Sequence, residues 1–161
     1  MNTDLVWRMV RVFAVAGSVS YPGGEMPECR GQNARVLFGG DEITILREGL
    51  AAKLNFVDPH PWQIPVAALT GVDLQPPGPL HVGRLQFLIK GAPVHHGSTA
   101  ELHEDPTIVF FAPSRRREFE ELAADVEQRI AVNQQAGWTA DMVELPPAPV
   151  SRSTVRRHAT K

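Results

Sequence analysis

A chain of 161 residues with 43% hydrophobic and 21% charged residues has the size and apolar content of one globular domain, so a second full domain is not expected. The formal net charge is −2, but residues 1–145 contain 12 basic and 18 acidic residues (−6), whereas the last 16 contain four basic residues and no acid. An acidic body with a basic tail argues against a dedicated nucleic-acid-binding domain.

The cellular compartment is indicated by the cysteine content and by the first residues. Cys29 is the only cysteine, so it has no partner for an internal disulfide or for a redox or metal motif. The apolar stretch from Leu5 to Ala16 is preceded by Asp4 and interrupted by Arg8 and Arg11, so it lacks the uninterrupted core of a signal peptide. No stretch approaches the roughly 20 apolar residues of a membrane span. We expect a cytoplasmic protein without a cofactor.

Residues 1–28 are predicted to be an N-terminal extension, since Ser18 to Glu28 has the Gly and Pro content of a linker. The apolar residues before it fit both a helical stripe and a strand face, so their secondary structure stays open. Met26 is an alternative start of the chain. Leu5 to Val15 would be an exposed apolar patch in a monomer, and self-association through this segment is therefore a further expectation.

From Cys29 onwards, apolar and polar residues alternate in short runs that are typical of β-strands with one buried face. The inward-facing sets are Val36 and Phe38; Ile43 and Ile45; Leu54 and Phe56; Trp62, Ile64 and Val66; Leu85, Phe87 and Ile89; Ile108 and Phe110. A seventh, weaker strand spans Thr70 to Leu74. The opposite, polar face is predicted to hold Thr44, Lys53, Asn55, Gln63, Arg84, Gln86 and Lys90. Short Gly- and Pro-rich turns favour antiparallel hairpins, and Pro65 predicts an edge strand or a bulge.

One amphipathic helix is predicted at about residues 114–135, with Ser114 as a candidate N-terminal cap and Gly137 as a left-handed C-terminal cap. Its single apolar stripe consists of Phe119, Leu122, Ala123, Val126 and Ile130, and it is expected to cover the open end of the sheet. The predicted fold is mainly β (α+β): a seven-stranded antiparallel barrel or sandwich capped by one C-terminal helix. This domain covers residues 29–137, and residues 138–161 form a tail that is largely flexible from 146.

Five stretches carry a family resemblance: Gly31 to Phe38, Gly40 to Ile45, Ile64 and Pro65, Gly83 to Phe87, and Val109 to Phe111. Over roughly residues 30–133, the sequence resembles uncharacterised actinobacterial domains that look like bacterial pleckstrin-homology relatives and also occur in phages of actinobacteria. The resemblance implies a pleckstrin-homology-like barrel, a binding or scaffolding role and no catalytic residues. Residues 1–28 and the Pro- and Arg-rich tail depart from the family pattern.

Arg115, Arg116 and Arg117 are candidate binding residues, because cations at the start of a helix oppose its dipole. Two explanations stay open. The arginines would recognise an anionic lipid headgroup, a phosphate or an acidic protein surface, or they pair with the nearby glutamates of a solvated helix, which we favour. The basic tail would add weak attraction to an anionic membrane through Arg152, Arg156, Arg157 and Lys161.

The densest set of metal-ligand residues is His95, His96, Glu101, His103, Glu104 and Asp105. Their spacing matches no closed metal site, so a solvated loop without a bound metal is favoured. No nucleophile motif or phosphate loop is present in the sequence, so no catalytic residue is predicted.

The predicted function is a non-enzymatic binding or adaptor module that engages a protein partner, with a phage-related or host-interacting regulator as one form of it. Strand addition near Pro65 or contact through a loop end would be the mechanism. One alternative is a peripheral, phosphoinositide-type anionic-lipid-binding domain that uses Arg115 to Arg117 and the tail. A weaker alternative is a metal-dependent hydrolase built on the His95 to Asp105 loop.

Overall fold

The computed structural model describes residues 26–49, 60–92 and 99–149, which form seven β-strands and two α-helices. The strands are β1 (Glu28–Arg30), β2 (Ala34–Phe38), β3 (Glu42–Arg47), β4 (Trp62–Pro65), β5 (Leu69–Gln75), β6 (Gly83–Ile89) and β7 (Ile108–Phe111). The helices are α1 (Thr99–Glu104) and α2 (Arg116–Gln135), and 3₁₀ turns lie at Val66–Ala68, Pro113–Arg115 and Ala140–Met142. The predicted strand at Leu54 and Phe56 and nearly all of the N-terminal extension lie outside the described residues.

The strands form two antiparallel sheets, one in the order β1-β2-β3-β4 and the other in the order β5-β6-β7. The prediction of a mainly β, antiparallel fold with one C-terminal helix is confirmed. In the part of the chain that the structure describes, the sheets do not join into a closed barrel. Pro65 pairs with Glu42 at the edge of the first sheet, as its missing N–H requires. The alternation did not predict β1, which begins at Glu28 within the expected linker.

The core lies between the two sheets and beneath α2. Its largest fully buried side chains include Phe87, Phe111 and Phe119, and the rings of Phe111 and Phe119 stack with centroids 4.3 Å apart. The predicted inward residues of β2, β3 and β4 are all buried. Leu85 and Phe87 of β6 belong to the same cluster, so the period-2 pattern located most of the core correctly.

Strands β6 and β7 of the second sheet are buried on both faces, which the alternation did not predict. Arg84 and Gln86, assigned to a polar exposed face, are only 7% and 2% exposed. They pair with Phe110 and Ile108 of β7, so these four side chains share a face. His103 of α1 covers this face, with its ring 4.4 Å from that of Phe110. The predicted inward pair of β7 therefore faces this second layer.

The other two residues of β7 contact the main core. Val109 and Phe111 belong to the core cluster that also contains Leu85 and Phe87. All four residues of β7 are buried, so the side chains on both faces of this strand are covered by other parts of the protein. A strand of this kind is expected to be continuously apolar, as Ile108 to Phe111 is.

A turn between β1 and β2, here called the sheet-bridging turn (Gly31 to Asn33), connects the first sheet to β7. The Gln32 backbone N–H donates a hydrogen bond to the Phe110 carbonyl at 2.7 Å. Asn33 is 4% exposed; its Nδ2 donates to the Ile108 carbonyl at 3.0 Å, and its Oδ1 accepts from the Phe110 amide at 2.8 Å. Because the Asn33 side-chain amide supplies one donor and one acceptor, it forms hydrogen bonds with the backbone of β7 as a neighbouring strand would.

Helix α2 has the predicted apolar stripe, and Phe119, Leu122, Ala123, Val126 and Ile130 are all buried. Gly137 has φ 79°; its amide donates to Gln134 and that of Trp138 to Asn133, which is a Schellman ending. The N-terminal cap prediction is wrong. Ser114 lies inside a 3₁₀ turn, and neither that turn nor α2 has a side-chain cap.

Candidate functional site

The β5–β6 connection presents the most exposed apolar side chain of the described residues. This segment, residues 76–82, is called the apolar tip. Leu80 is 99% exposed and Val82 is 39% exposed, and Pro76 and Pro79 beside them are also exposed. Single exposed aliphatic residues are common on protein surfaces, but several together at the end of a hairpin form a surface suited to contact with another molecule.

The apolar tip is held in one conformation by its own sequence. Prolines at positions 76, 77 and 79 each fix one backbone dihedral. The Gly78 amide donates to the His81 carbonyl at 3.0 Å and closes the loop. A Cβ at Gly78 would overlap the His81 imidazole, so glycine permits the ring to pack on the backbone there. A loop constrained in this way has little conformational entropy left to lose when it binds a partner.

Charged side chains are absent from the sequence between Asp73 and Arg84. These two flanking residues form an ion pair with each other, with an N–O distance of 3.0 Å. Arg84 is buried, so its charge is not directed outwards at the tip. The apolar tip therefore contains no Lys, Arg, Asp or Glu, and His81 is its one ionisable side chain.

The structure places the three predicted binding arginines at the start of α2 next to carboxylates. Along α2 and the turn before it, the pairs are Arg115–Glu118 at 2.7 Å, Arg116–Glu120 at 2.6 Å and Arg117–Glu121 at 2.8 Å. The hydrogen bond to Glu121 raises the pKa of Arg117 above its ordinary value. These pairs correspond to the explanation that we favour, in which the arginines pair with nearby glutamates. The anion-binding role of the arginines stays a prediction.

The three arginines also fail to converge on one point. Consecutive residues at the start of a helix diverge by roughly 100° around its axis, so neighbours do not face each other. Arg115 is at the end of the 3₁₀ turn, and Arg116 and Arg117 begin α2. The other predicted residues, Arg152, Arg156 and Arg157, lie outside the described residues.

The predicted ligand loop is only partly described. His95 and His96 lie outside the described residues, and no side-chain placement is described for Glu101. His103 packs on Phe110, and Asp105 Oδ1 accepts bonds from the amide and hydroxyl of Thr107 at 2.8 and 2.6 Å. Among the described residues, no group of three or more His, Cys, Asp and Glu side chains is arranged to hold a metal ion.

Two ionisable groups serve the packing of the fold: Arg47 lies beside this loop, and Cys29 lies against α2. Arg47 donates to the carbonyls of Ile108, Asp105 and Pro106, and burial lowers its pKa to about 10, so it stays charged near neutral pH. Cys29 is 6% exposed, and burial raises the pKa of its thiol to about 11, with a further contribution from Glu118. A thiol with this pKa is a poor nucleophile at neutral pH.

The second candidate surface is a groove at the end of β6, here called the inter-sheet groove. It has a volume of about 400 Å³ and is lined mainly by apolar surface. The walls are Trp62, residues 86–89, Ala92, residues 105–107 and residues 145–148. Trp62 Nε1 donates to the Pro146 carbonyl at 3.0 Å, and Leu145 packs against the core. The predicted tail therefore contacts the body as far as Pro146.

Sequence reasoning missed both of these features. Residues 76–79 have the composition of a turn, but the aliphatic Leu80 and Val82 follow with no Asp, Glu, Lys or Arg beside them, which is a usable signal of an exposed apolar loop. No signal in the sequence pairs Trp62 with Pro146, because the two residues are 84 positions apart.

The fold and these surfaces define a mainly β domain of two antiparallel sheets with a C-terminal helix. The model of one family, Domain of unknown function (DUF4429), matches residues 36–127, which is more than half of the chain, and the protein belongs to this family. No curated protein and no solved structure shows significant similarity to it. No helix in the described part of the chain combines the length and apolar content needed to cross a membrane.

Proposed function

We propose that this protein is a non-enzymatic, pleckstrin-homology-like binding module, and that it engages a protein partner through the apolar tip. The observation that carries the proposal is the 99% exposure of Leu80 at the end of a loop that prolines and a backbone hydrogen bond hold rigid. The arrangement of four and three antiparallel strands followed by a C-terminal helix supports the pleckstrin-homology-like assignment. The proposed setting is the cytoplasm of a GC-rich actinobacterium, as a phage-related or host-interacting regulator.

The apolar tip would act by inserting Leu80 into an apolar pocket of the partner. Transfer of one exposed leucine side chain out of water contributes about 1.5–3 kcal/mol. The rigid loop keeps most of this free energy available for binding, because few rotatable bonds are lost. Val82, Pro76 and Pro79 would surround the leucine and exclude water from the contact, as the rim of an interface does.

Charge favours a protein over an anionic membrane as the partner of the tip. Loops that insert into anionic membranes gain attraction from neighbouring lysines and arginines. The apolar tip has none, and residues 1–145 carry 12 basic against 18 acidic residues. The lipid-binding alternative depends instead on the basic tail and on Arg115 to Arg117, whose exposed guanidinium groups already pair with glutamates. Lipid binding is the outcome that would replace our proposal.

The test compares the wild-type protein with Leu80→Asp in affinity capture from an actinobacterial lysate, followed by binding measurements with each purified protein that the wild type retains. We expect Leu80→Asp to weaken the affinity for the purified partner by about 10- to 150-fold, which corresponds to the transfer free energy of one leucine. The matched control is Val132→Asp, which exchanges an apolar side chain that is 43% exposed on α2 for the same charge. This control is expected to leave the affinity unchanged.

Two results would contradict the proposal. The first is a partner whose affinity is the same for the wild type and for Leu80→Asp, which would locate the contact elsewhere. The second is salt-sensitive sedimentation with phosphatidylserine vesicles that Leu80→Asp preserves and that Arg115→Glu with Arg116→Glu abolishes. That second result would establish the anionic-lipid alternative.

A further inference from the structure

One wall of the inter-sheet groove is formed by a segment of the same chain that docks on the body of the domain. After the 3₁₀ turn at Ala140–Met142, residues 143–149 run without secondary structure. Leu145 packs against the core cluster, and the Pro146 carbonyl accepts the hydrogen bond of Trp62 Nε1 at 3.0 Å. Residues 145–148 form one wall of the groove, opposite residues 86–89 of β6 and residues 105–107.

Two features of this contact, an indole N–H donor and a proline-rich acceptor segment, also occur in proline-rich peptide recognition. A polyproline II segment makes no internal hydrogen bonds, so its carbonyl groups are free to accept bonds from a receptor. Aromatic grooves use this property by packing against the prolines and donating a hydrogen bond to the peptide backbone. Trp62 supplies such a donor, and positions 145–149 read Leu-Pro-Pro-Ala-Pro, with three prolines that favour the extended form.

We propose that the inter-sheet groove is a binding site for extended segments in which an aliphatic residue precedes two prolines, and that residues 145–149 are its cis ligand. The site is separate from the apolar tip. The tip precedes Gly83 and the groove lies along residues 86–89, so the groove begins about 10 Å from the tip along β6. A failure of either proposal leaves the other standing.

The cis ligand has a regulatory consequence. A tethered segment occupies its site at an effective concentration in the millimolar range, which a free peptide matches only at comparable concentration. A partner that carries the same type of segment therefore binds weakly while residues 145–149 are in place. Release of the tail opens the groove to that partner.

The experiment follows the indole N–H resonance of Trp62 in ¹H–¹⁵N spectra of the full-length protein, assigned with Trp62→Phe. Leu145→Asp is expected to release the tail, because the half-buried leucine would be replaced by a charge. The indole signal should then shift and exchange faster with solvent. Addition of a peptide with the sequence of residues 142–149 should return the signal towards its wild-type position. The wild-type protein should need at least about tenfold more peptide.

Three comparisons make the result specific. Met142→Asp places the same charge in the same segment at a side chain that is 63% exposed, and it should behave as the wild type. A peptide with alanine in place of its three prolines should not bind Leu145→Asp. A double variant, Pro146→Gly with Pro147→Gly, loosens the tail without a charge and should bind the native peptide as Leu145→Asp does.

The proposal is overturned if the Trp62 signal is the same in Leu145→Asp and the wild type, or if both bind the peptide equally. It is also overturned if the alanine peptide binds as well as the native one. Should Leu145→Asp fail to fold, as judged by the amide spectrum, the glycine double variant decides between these outcomes.

Discussion

Asn33→Ala provides the strongest test of how the two sheets are connected. The substitution removes the donor to the Ile108 carbonyl and the acceptor for the Phe110 amide, at 3.0 and 2.8 Å. The Ile108 carbonyl keeps the Arg47 guanidinium as a second donor at 2.9 Å, so the lost bond there is worth about 0.5–1.5 kcal/mol. The buried Phe110 amide loses its acceptor, which costs about 1–3 kcal/mol. Together these effects predict a loss of about 2–4 kcal/mol in the free energy of unfolding.

The assay is equilibrium unfolding in urea, followed by far-ultraviolet circular dichroism. With an m value of about 2 kcal/mol/M, the midpoint should fall by about 1–2 M. The matched control is Gln32→Ala in the same turn, since the Gln32 side chain is exposed and its hydrogen bond to Phe110 comes from the backbone. This control should change stability by less than about 0.5 kcal/mol. If Asn33→Ala is as stable as the control, the proposed bridge to β7 is wrong.

Two further predictions concern β1 and the turn that follows it. Gly31→Ala should destabilise the protein by about 1–3 kcal/mol in the same assay, because its Cβ would lie 2.5 Å from the Phe110 carbonyl oxygen. Gly71→Ala, whose Cβ would lie 3.7 Å from the nearest atom, should be tolerated, and equal effects of the two substitutions would refute this packing argument. Cys29, with its pKa raised from 9.0 to about 11, should react with a disulfide reagent at pH 8 far more slowly in the native protein than in urea. Equal rates in the two states would show that the thiol is exposed.

The elements that the sequence predicted correctly are those in which local patterns and burial agree. The α2 stripe was identified because Phe119, Leu122 and Val126 repeat at helical spacing on one face and the helix is exposed on the other. Gly137 was identified as the helix end because a left-handed residue there favours glycine. Both inferences depend on residues within a few positions of each other.

The parts that the sequence did not predict depend on partners far away in the chain. Asn33 is buried because its amide meets Ile108 and Phe110, which are more than 70 positions away. Gln86 appeared to belong to a solvent-facing side, but the segment from α1 to Thr107 covers that face of the sheet. Alternation within a strand reports which residues share a face. It does not report what packs on that face.

The sequence indicates a binding site from clustered positive charge, whereas the structure indicates one from the exposed apolar surface of a loop. Arg115 to Arg117 were selected because they oppose the helix dipole, and the compensating glutamates lie three or four residues further along. No periodic sequence pattern around Leu80 indicates its exposure, because that exposure results from the conformation of the hairpin. Exposed loop residues of this kind become recognisable only when the turn conformation is known.

Site-specific photo-crosslinking shows whether a protein partner contacts Leu80. A benzophenone amino acid is placed at position 80 in one variant and at the exposed Glu127 of α2 in another. After irradiation in the host cell, we expect a discrete crosslinked protein from position 80 that is absent from position 127. Equal crosslinking from both positions, or no crosslinked protein from position 80, would contradict the proposed contact at Leu80.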